Sequence, residues 1–141
     1  MSLGPLPKLD IRYIAGIIDG EGSIDFYRSG RSWAVRLRVG NTYVELLRRL
    51  RLQFGGWISR PRVFSRRWKP YASWDIAGPR AERLLADVLP YLIVKRAQAI
   101  TALQLRATVR RRSTGKPMTE KEWIQREVLR LDLQAANKKG A

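Results

Sequence analysis

Apolar positions along the chain follow two alternating periods, and each period predicts an element. Ile11, Ile14, Ala15 and Ile18 recur at helical spacing, so a helix is expected over about Ile11 to Gly20. Asp10 supplies its N-cap, and Gly20 and Gly22 end it. The period then drops to two. Ile24 and Phe26 point one way while Ser23, Asp25 and Tyr27 point the other, as in a half-buried strand. Arg28-Ser29-Gly30 reads as a turn into a second strand over Trp33 to Gly40. There Val35, Leu37 and Val39 form the core face, opposite Ala34, Arg36, Arg38 and Gly40.

The helical period returns from Thr42, with Val44, Leu46, Leu47 and Leu50 on one stripe and Gly55-Gly56 as the stop. Two further strands are expected, roughly Trp57 to Val63 and Tyr71 to Ala77, joined through Arg66-Arg67-Trp68-Lys69-Pro70. In the last strand Ala72, Trp74 and Ile76 face the core, while Tyr71, Ser73 and Asp75 face away. Gly78-Pro79 opens a third helix carrying Leu84, Leu85, Val88 and Leu89, which Pro90 breaks. A fourth helix is expected over about Lys95 to Arg110. A fifth is expected over Thr119 to Ala136, with Thr119 and Glu122 at capping-box spacing. The order is α-β-β-α-β-β-α plus C-terminal helices, an α+β pattern without repeats or long linkers. A single domain is expected over residues 1–141, with a core over 8–110 and a loop and helix over 111–141. Each strand pairs a core face with a face offering Arg, Tyr, Ser or Asp, the groups a reader of nucleic-acid grooves needs.

Charge sharpens that reading. Lys and Arg number 28 against 12 Asp and Glu, a formal net charge of +16. A domain this basic calls for a polyanion, and nucleic acid is the commonest. The basic residues are spread through the chain, so the folded body itself should be the binding surface. Cys and His are both absent, which removes disulfides, thiolate or imidazole metal sites, and every triad that relies on His. No apolar run approaches the length of a membrane span, and Met1 to Pro7 lacks the order of a signal peptide. An intracellular location without membrane contact is therefore expected: cytoplasm or nucleoid, or an organelle in a eukaryote.

The stretch Tyr13-Ile14-Ala15-Gly16-Ile17-Ile18-Asp19-Gly20-Glu21-Gly22-Ser23 concentrates the candidate chemistry. Asp19 and Glu21 fall at the C-terminal, partly negative end of a helix, where each acid costs some tenths of a kcal/mol. A bound cation would compensate, and without His or Cys a hard, oxygen-seeking ion such as Mg²⁺ is the candidate. Gly16 and Gly20 lie four apart and flatten one face, so that two such helices could cross closely. The plainer reading stays open at this point: a helix packed on its own sheet, Gly20 as a C-cap and the acids solvated. An EF-hand loop is excluded. Asp19, Glu21 and Ser23 fit its first ligands, but Ile24 stands where it needs Gly and Gly30 where it needs the bidentate Glu.

The segment Ile14-Ala15-Gly16-Ile17-Ile18-Asp19-Gly20-Glu21-Gly22 resembles the signature of the LAGLIDADG homing endonuclease family. The element order is similar too, as are Phe54-Gly55-Gly56-Trp57-Ile58, Tyr71-Ala72-Ser73-Trp74-Asp75-Ile76 and the run from Leu89 to Ala99. The resemblance implies an αββαββα fold whose four-stranded antiparallel sheet binds DNA. It implies a Mg²⁺-dependent hydrolase that makes a double-strand break with 3′ overhangs in a long site, typically as an intron-encoded protein; Mn²⁺ or Ca²⁺ are alternative occupants. Glu21 would be the metal ligand, in place of the aspartate common at this position, with the Gly20 carbonyl beside it. Asn41 falls where relatives place a polar residue near the attacking water, and Lys95 where a lysine approaches the scissile phosphate.

One motif per chain implies a homodimer on a near-palindromic double-stranded DNA site, with Ala15, Gly16, Asp19 and Gly20 at the interface. Expected groove contacts are Ser23, Asp25, Tyr27, Arg36, Arg38, Ile58, Arg60, Arg62, Ser73 and Asp75. Arg66, Arg67, Lys69, Arg110, Arg111 and Arg112 are expected at phosphates. Alternatives are an RNA-binding maturase or a catalytically silent nucleic-acid-binding protein on the same fold. A basic structural protein, such as a ribosomal one, would explain the charge but not the acids at a helix end.

Overall fold

The computed structural model describes residues 6–30, 32–62, 71–112 and 118–139. Helix α1 (Ile11–Glu21) runs directly into the hairpin of β1 (Gly22–Ser29) and β2 (Ser32–Asn41). Helix α2 (Val44–Phe54) leads to β3 (Trp57–Arg62), and β4 (Tyr71–Ala77) returns. Helix α3 (Pro79–Val88), a short 3-10 turn over Leu89–Tyr91, α4 (Arg96–Arg112) and α5 (Glu120–Lys139) follow. The elements match the sequence pattern, with boundaries moved by one to three residues at most ends. Among the described residues, no helix is long and apolar enough to cross a membrane.

The sheet order is β1-β2-β4-β3, and every neighbouring pair is antiparallel. The two central strands come from different halves of the chain, so the connection through α2 places β3 on the outside and β4 beside β2. The Gly55-Gly56 stop has a specific role there. Both residues have φ of +85°, which side chains rarely adopt. A Cβ on Gly56 would also strike the backbone carbonyl of Asp75 on the neighbouring strand.

One sheet face carries Ile24, Phe26, Val35, Leu37, Val39, Ala72, Trp74 and Ile76, all buried. Helices contribute Ile14, Ala15 and Ile18 from α1, Leu47 and Leu50 from α2, Leu84, Leu85 and Val88 from α3, and Ala99, Ala102 and Leu105 from α4. Trp74 centres this core. Its indole N–H donates to the Gly55 carbonyl at 2.9 Å, so the polar edge of the ring is satisfied as well as the apolar body. Helix α5 packs on α4 and β1, and two of its cations stack on rings of the β1–β2 hairpin. The Arg126 guanidinium lies 4.9 Å from the Trp33 ring and 5.7 Å from Phe26, and Arg130 lies 5.6 Å from Trp33. Thr119 caps this helix, accepting the Glu122 N–H at 3.2 Å.

Candidate functional site

The C-terminal end of α1 is fixed by a close approach. At Gly22, which caps the helix and opens β1, any Cβ would sit 2.7 Å from the Ile18 carbonyl. The chain therefore turns from helix to strand within one residue, and Asp19, Gly20 and Glu21 occupy the last helical turn. Asp19 does not point into open solvent. Its carboxylate accepts the backbone N–H groups of Ile93 at 2.8 Å, Val94 at 3.1 Å and Lys95 at 3.0 Å. These groups lead into α4, so the negative end of one helix meets the positive start of another through this acid.

Lys95 is only 8% exposed. Its ammonium donates to the Asp19 carbonyl at 3.4 Å, placing a cation at the carbonyl end of α1, one residue from Gly20. Glu21 lies on the exposed side of the same turn. Asn41, the last residue of β2, donates its side-chain amide to the Glu21 carboxylate at 3.0 Å. The Asn41 side-chain oxygen accepts the Tyr43 N–H at 2.8 Å, which fixes the amide with its N–H₂ toward Glu21. The three residues expected to carry catalysis thus gather around one helix end, drawn from α1, β2 and the start of α4.

The donor set there is a carboxylate and peptide carbonyls, without sulfur or imidazole, which fits a hard divalent cation. Among the described residues no three acidic side chains converge, so a single copy offers one open carboxylate at this point rather than a closed cage.

The outer face of α1 is open. A Cβ built on Gly16 or Gly20 meets nothing within 4 Å, and Arg12 and Tyr13 are exposed beside them. Ala15 departs from the expectation for an interface residue. It is buried against its own core, because the helix turns positions 14, 15 and 18 inward together. Tyr13, Gly16 and Gly20 form the free stripe instead.

The polar face of the sheet is organised in cross-strand rows. Ser23, Arg38, Asp75 and Trp57 are successive register partners across all four strands, and Asp25 pairs with Arg36 in the next row. Arg38 donates from Nε to one oxygen of Asp75 at 3.0 Å, with its Nη2 also 3.0 Å from that oxygen in the ion pair, and the Ser73 hydroxyl donates to the other at 2.8 Å. This hydrogen bond to Asp75 is the main reason the Arg38 guanidinium is held above its usual pKa range. Arg36 lies 3.3 Å from Asp25 and stacks 4.6 Å above the Tyr27 ring. Asn137 at the end of α5 also reaches Asp25, at 3.4 Å.

Two expected groove residues sit differently. Ile58 pairs with Trp74 and packs against the core, so it belongs to the apolar face. Asp75 is on the polar face but 2% exposed, covered by its own partners. Trp57, 48% exposed, and the exposed Ser59 are the β3 residues aligned with Asp75 and Ser73. Alternation within β3 puts both opposite the core-facing Ile58. The register then shifts between Ser59 and Arg62, a stretch that contains Pro61, which has no N–H for the ladder. Arg62 therefore pairs with Tyr71, one position off the register that Ser59 and Ser73 set. Arg66, Arg67 and Lys69 lie outside the described residues, as do the side chains of Arg60, Arg62, Arg110, Arg111 and Arg112.

No family model matches the chain, and no curated protein matches it by sequence. Solved structures do match. The homing endonuclease I-CvuI, in complex with its target in the presence of 2 mM Ca, is 21% identical with a TM-score of 0.67, over 89% of this chain and 80% of that one. The archaeal intron-encoded homing endonuclease I-Vdi141I, complexed with DNA, is 16% identical with a TM-score of 0.70, over 93% and 86%. The homing endonuclease I-TnaI is 15% identical with a TM-score of 0.64, over 96% and 100%. The chain has the LAGLIDADG homing endonuclease fold.

Proposed function

We propose that this chain is one subunit of a homodimeric, site-specific DNA endonuclease that needs a divalent cation and leaves 3′ overhangs. The observation that carries the reading is the gathering of Glu21, Asn41 and Lys95 at the C-terminal end of α1. It lies on a fold whose solved examples include proteins held on DNA. That likeness and the net charge of +16 support double-stranded DNA as the partner.

In this reading the bare stripe of Tyr13, Gly16 and Gly20 meets its counterpart on a second copy. Two glycines let the backbones approach closely, and the two Glu21 carboxylates then come together at the dyad. Each sheet presents its polar face to a major groove, so the pair reads a near-palindromic site. Glu21 and the Gly20 carbonyl would hold the cation, Mg²⁺ in the first instance. When bound, such an ion supplies charge neutralisation at the phosphate and lowers the pKa of water. Asn41 keeps the Glu21 carboxylate turned toward the DNA side. Lys95, pinned at the helix end, offers its ammonium to the extra negative charge that builds on the attacked phosphate. Its burial keeps that charge poorly screened and strengthens the effect.

The likeness to an intron-encoded protein supports an intron as the setting of the gene. The test is incubation of the full chain with Mg²⁺ and a plasmid library carrying a randomised segment, followed by sequencing of the ends. Double-strand ends at one near-palindromic sequence, with 3′ overhangs, are expected. An intact library, together with retention of one specific RNA, would overturn the reading in favour of a maturase.

A further inference from the structure

Asp75 is a buried carboxylate on the face that the proposed function turns toward DNA, yet it is too covered to touch a base. It lies 2% exposed between two donors, while the Arg38 side chain bonded to it is 44% exposed. Arg38 donates from Nε to one Asp75 oxygen, its Nη2 lies at ion-pair distance from the same oxygen, and Ser73 occupies the other oxygen. A guanidinium has five N–H groups in a rigid plane. Engaging the Nε edge leaves the Nη1 end directed away from the carboxylate, in a plane that the ion pair fixes. A planar pair of donors in fixed orientation matches the O6 and N7 acceptors of guanine in the major groove. An unpinned arginine could swing to a phosphate or to another base. Asp75 is itself held in place: it is the register partner of Arg38, and its own carbonyl is closely approached by Gly56.

We propose that Asp75 is a positioning residue for base readout, pinning Arg38 so that each subunit demands guanine at one defined position of its half-site. The inference rests on the DNA-reading role proposed above and adds which pair sets the preference. It also assigns Asp75 a second effect. By neutralising Arg38, it holds down binding to arbitrary DNA, so its removal should trade selectivity for general affinity.

The experiment is selection of bound duplexes from a randomised pool by the full chain, with Ca²⁺ in place of Mg²⁺, for the unaltered protein, Asp75→Asn, Ser73→Ala, Arg38→Ala and Asp75→Asn/Arg38→Ala. The unaltered protein is expected to prefer guanine at one symmetric pair of positions by roughly tenfold or more. Asp75→Asn should flatten that preference alone and steepen the salt dependence of binding to unrelated DNA by about one phosphate contact per subunit. Ser73→Ala, which keeps the ion pair, should relax the same position to a smaller extent and covers the case in which Asp75→Asn fails to fold. In the Arg38→Ala background Asp75→Asn should change nothing further at that position. A purely structural Asp75 would lower the melting temperature and leave the selected sequence untouched. If the unaltered protein enriches a site and both Asp75→Asn and Ser73→Ala enrich the same site with the same guanine preference, the inference fails alone. If the unaltered protein enriches no sequence, the DNA-reading function fails and the inference with it.

Discussion

Asn41 reaches from the end of β2 to the last turn of α1 and donates its amide to the Glu21 carboxylate at 3.0 Å. The same side chain accepts the Tyr43 N–H at 2.8 Å, so one residue joins the end of a central strand, the entry to α2 and the acid of the motif. Asn41→Ala removes both bonds and frees the carboxylate to rotate. The expected result is a fall in cleavage of about 10–100-fold with DNA affinity kept, as for partners that orient a metal ligand. Single-turnover rates on a bound site, read against binding in Ca²⁺, check this.

Asp19 is expected to contribute stability first, and to act on chemistry only through the placement of Lys95. Its carboxylate accepts three backbone N–H groups ahead of α4. Asp19→Ala leaves them without that partner and should cost roughly 1–3 kcal/mol in urea unfolding. Asp19→Asn retains an acceptor and should cost less. Lys95 shares this junction, so Asp19→Ala should also slow cleavage on DNA through misplacement of the ammonium.

The open stripe of α1 gives a prediction whose sign separates monomer from dimer. A Cβ at Gly16 or Gly20 meets nothing within 4 Å of the same chain, and alanine is the better helix former by up to about 1 kcal/mol. Gly16→Ala and Gly20→Ala should therefore stabilise an isolated subunit while weakening association. Sedimentation at several concentrations, alongside chemical unfolding, reads both effects. A loss of subunit stability with unchanged association would count against the crossing of two α1 helices.

Neighbouring residues of β3 should divide cleanly. Ile58 packs against the core and Trp57 stands on the polar face. Ile58→Ala should lower stability by about 1–3 kcal/mol, below the cost of a fully buried isoleucine, with little effect on DNA binding. Trp57→Ala should leave stability nearly unchanged and weaken binding. Thermal melts and DNA titrations on both variants distinguish the two faces.

Much of this fold is written in local pattern. Val35, Leu37 and Val39 alternate with Arg36 and Arg38, and the burial follows that alternation residue by residue. Asp10 and Thr119 cap the helices that their spacing announces. The motif end was legible because acids at a helix C terminus oppose the dipole and demand a reason. What local pattern cannot carry is the partner from elsewhere in the chain. Asp75 is a polar position by alternation, and only the arrival of Arg38 from a strand 37 residues away buries it. Asp19 is likewise defined by N–H groups more than 70 residues distant. Ile58 shares its alternation with Arg60 and Arg62 and so reads as a polar-face position, but its pairing with Trp74 turns it to the core, and the register shifts beyond Ser59. Ala15 reads as a small interface residue in the motif, but the helix rotation that buries Ile14 and Ile18 takes it inward.

Cleavage in the proposed function depends most directly on Glu21, the open carboxylate at the end of α1. The decisive measurement compares the unaltered chain with Glu21→Gln on the selected DNA site, reading binding in Ca²⁺ and cleavage in Mg²⁺ from the same preparations. Expected are affinities within a few-fold of each other, double-strand cutting by the unaltered protein, and a loss of at least about 100-fold in the variant. Equal cutting by both proteins would contradict the role of Glu21, and equal binding without cutting by either would leave the fold as a DNA reader without a nuclease.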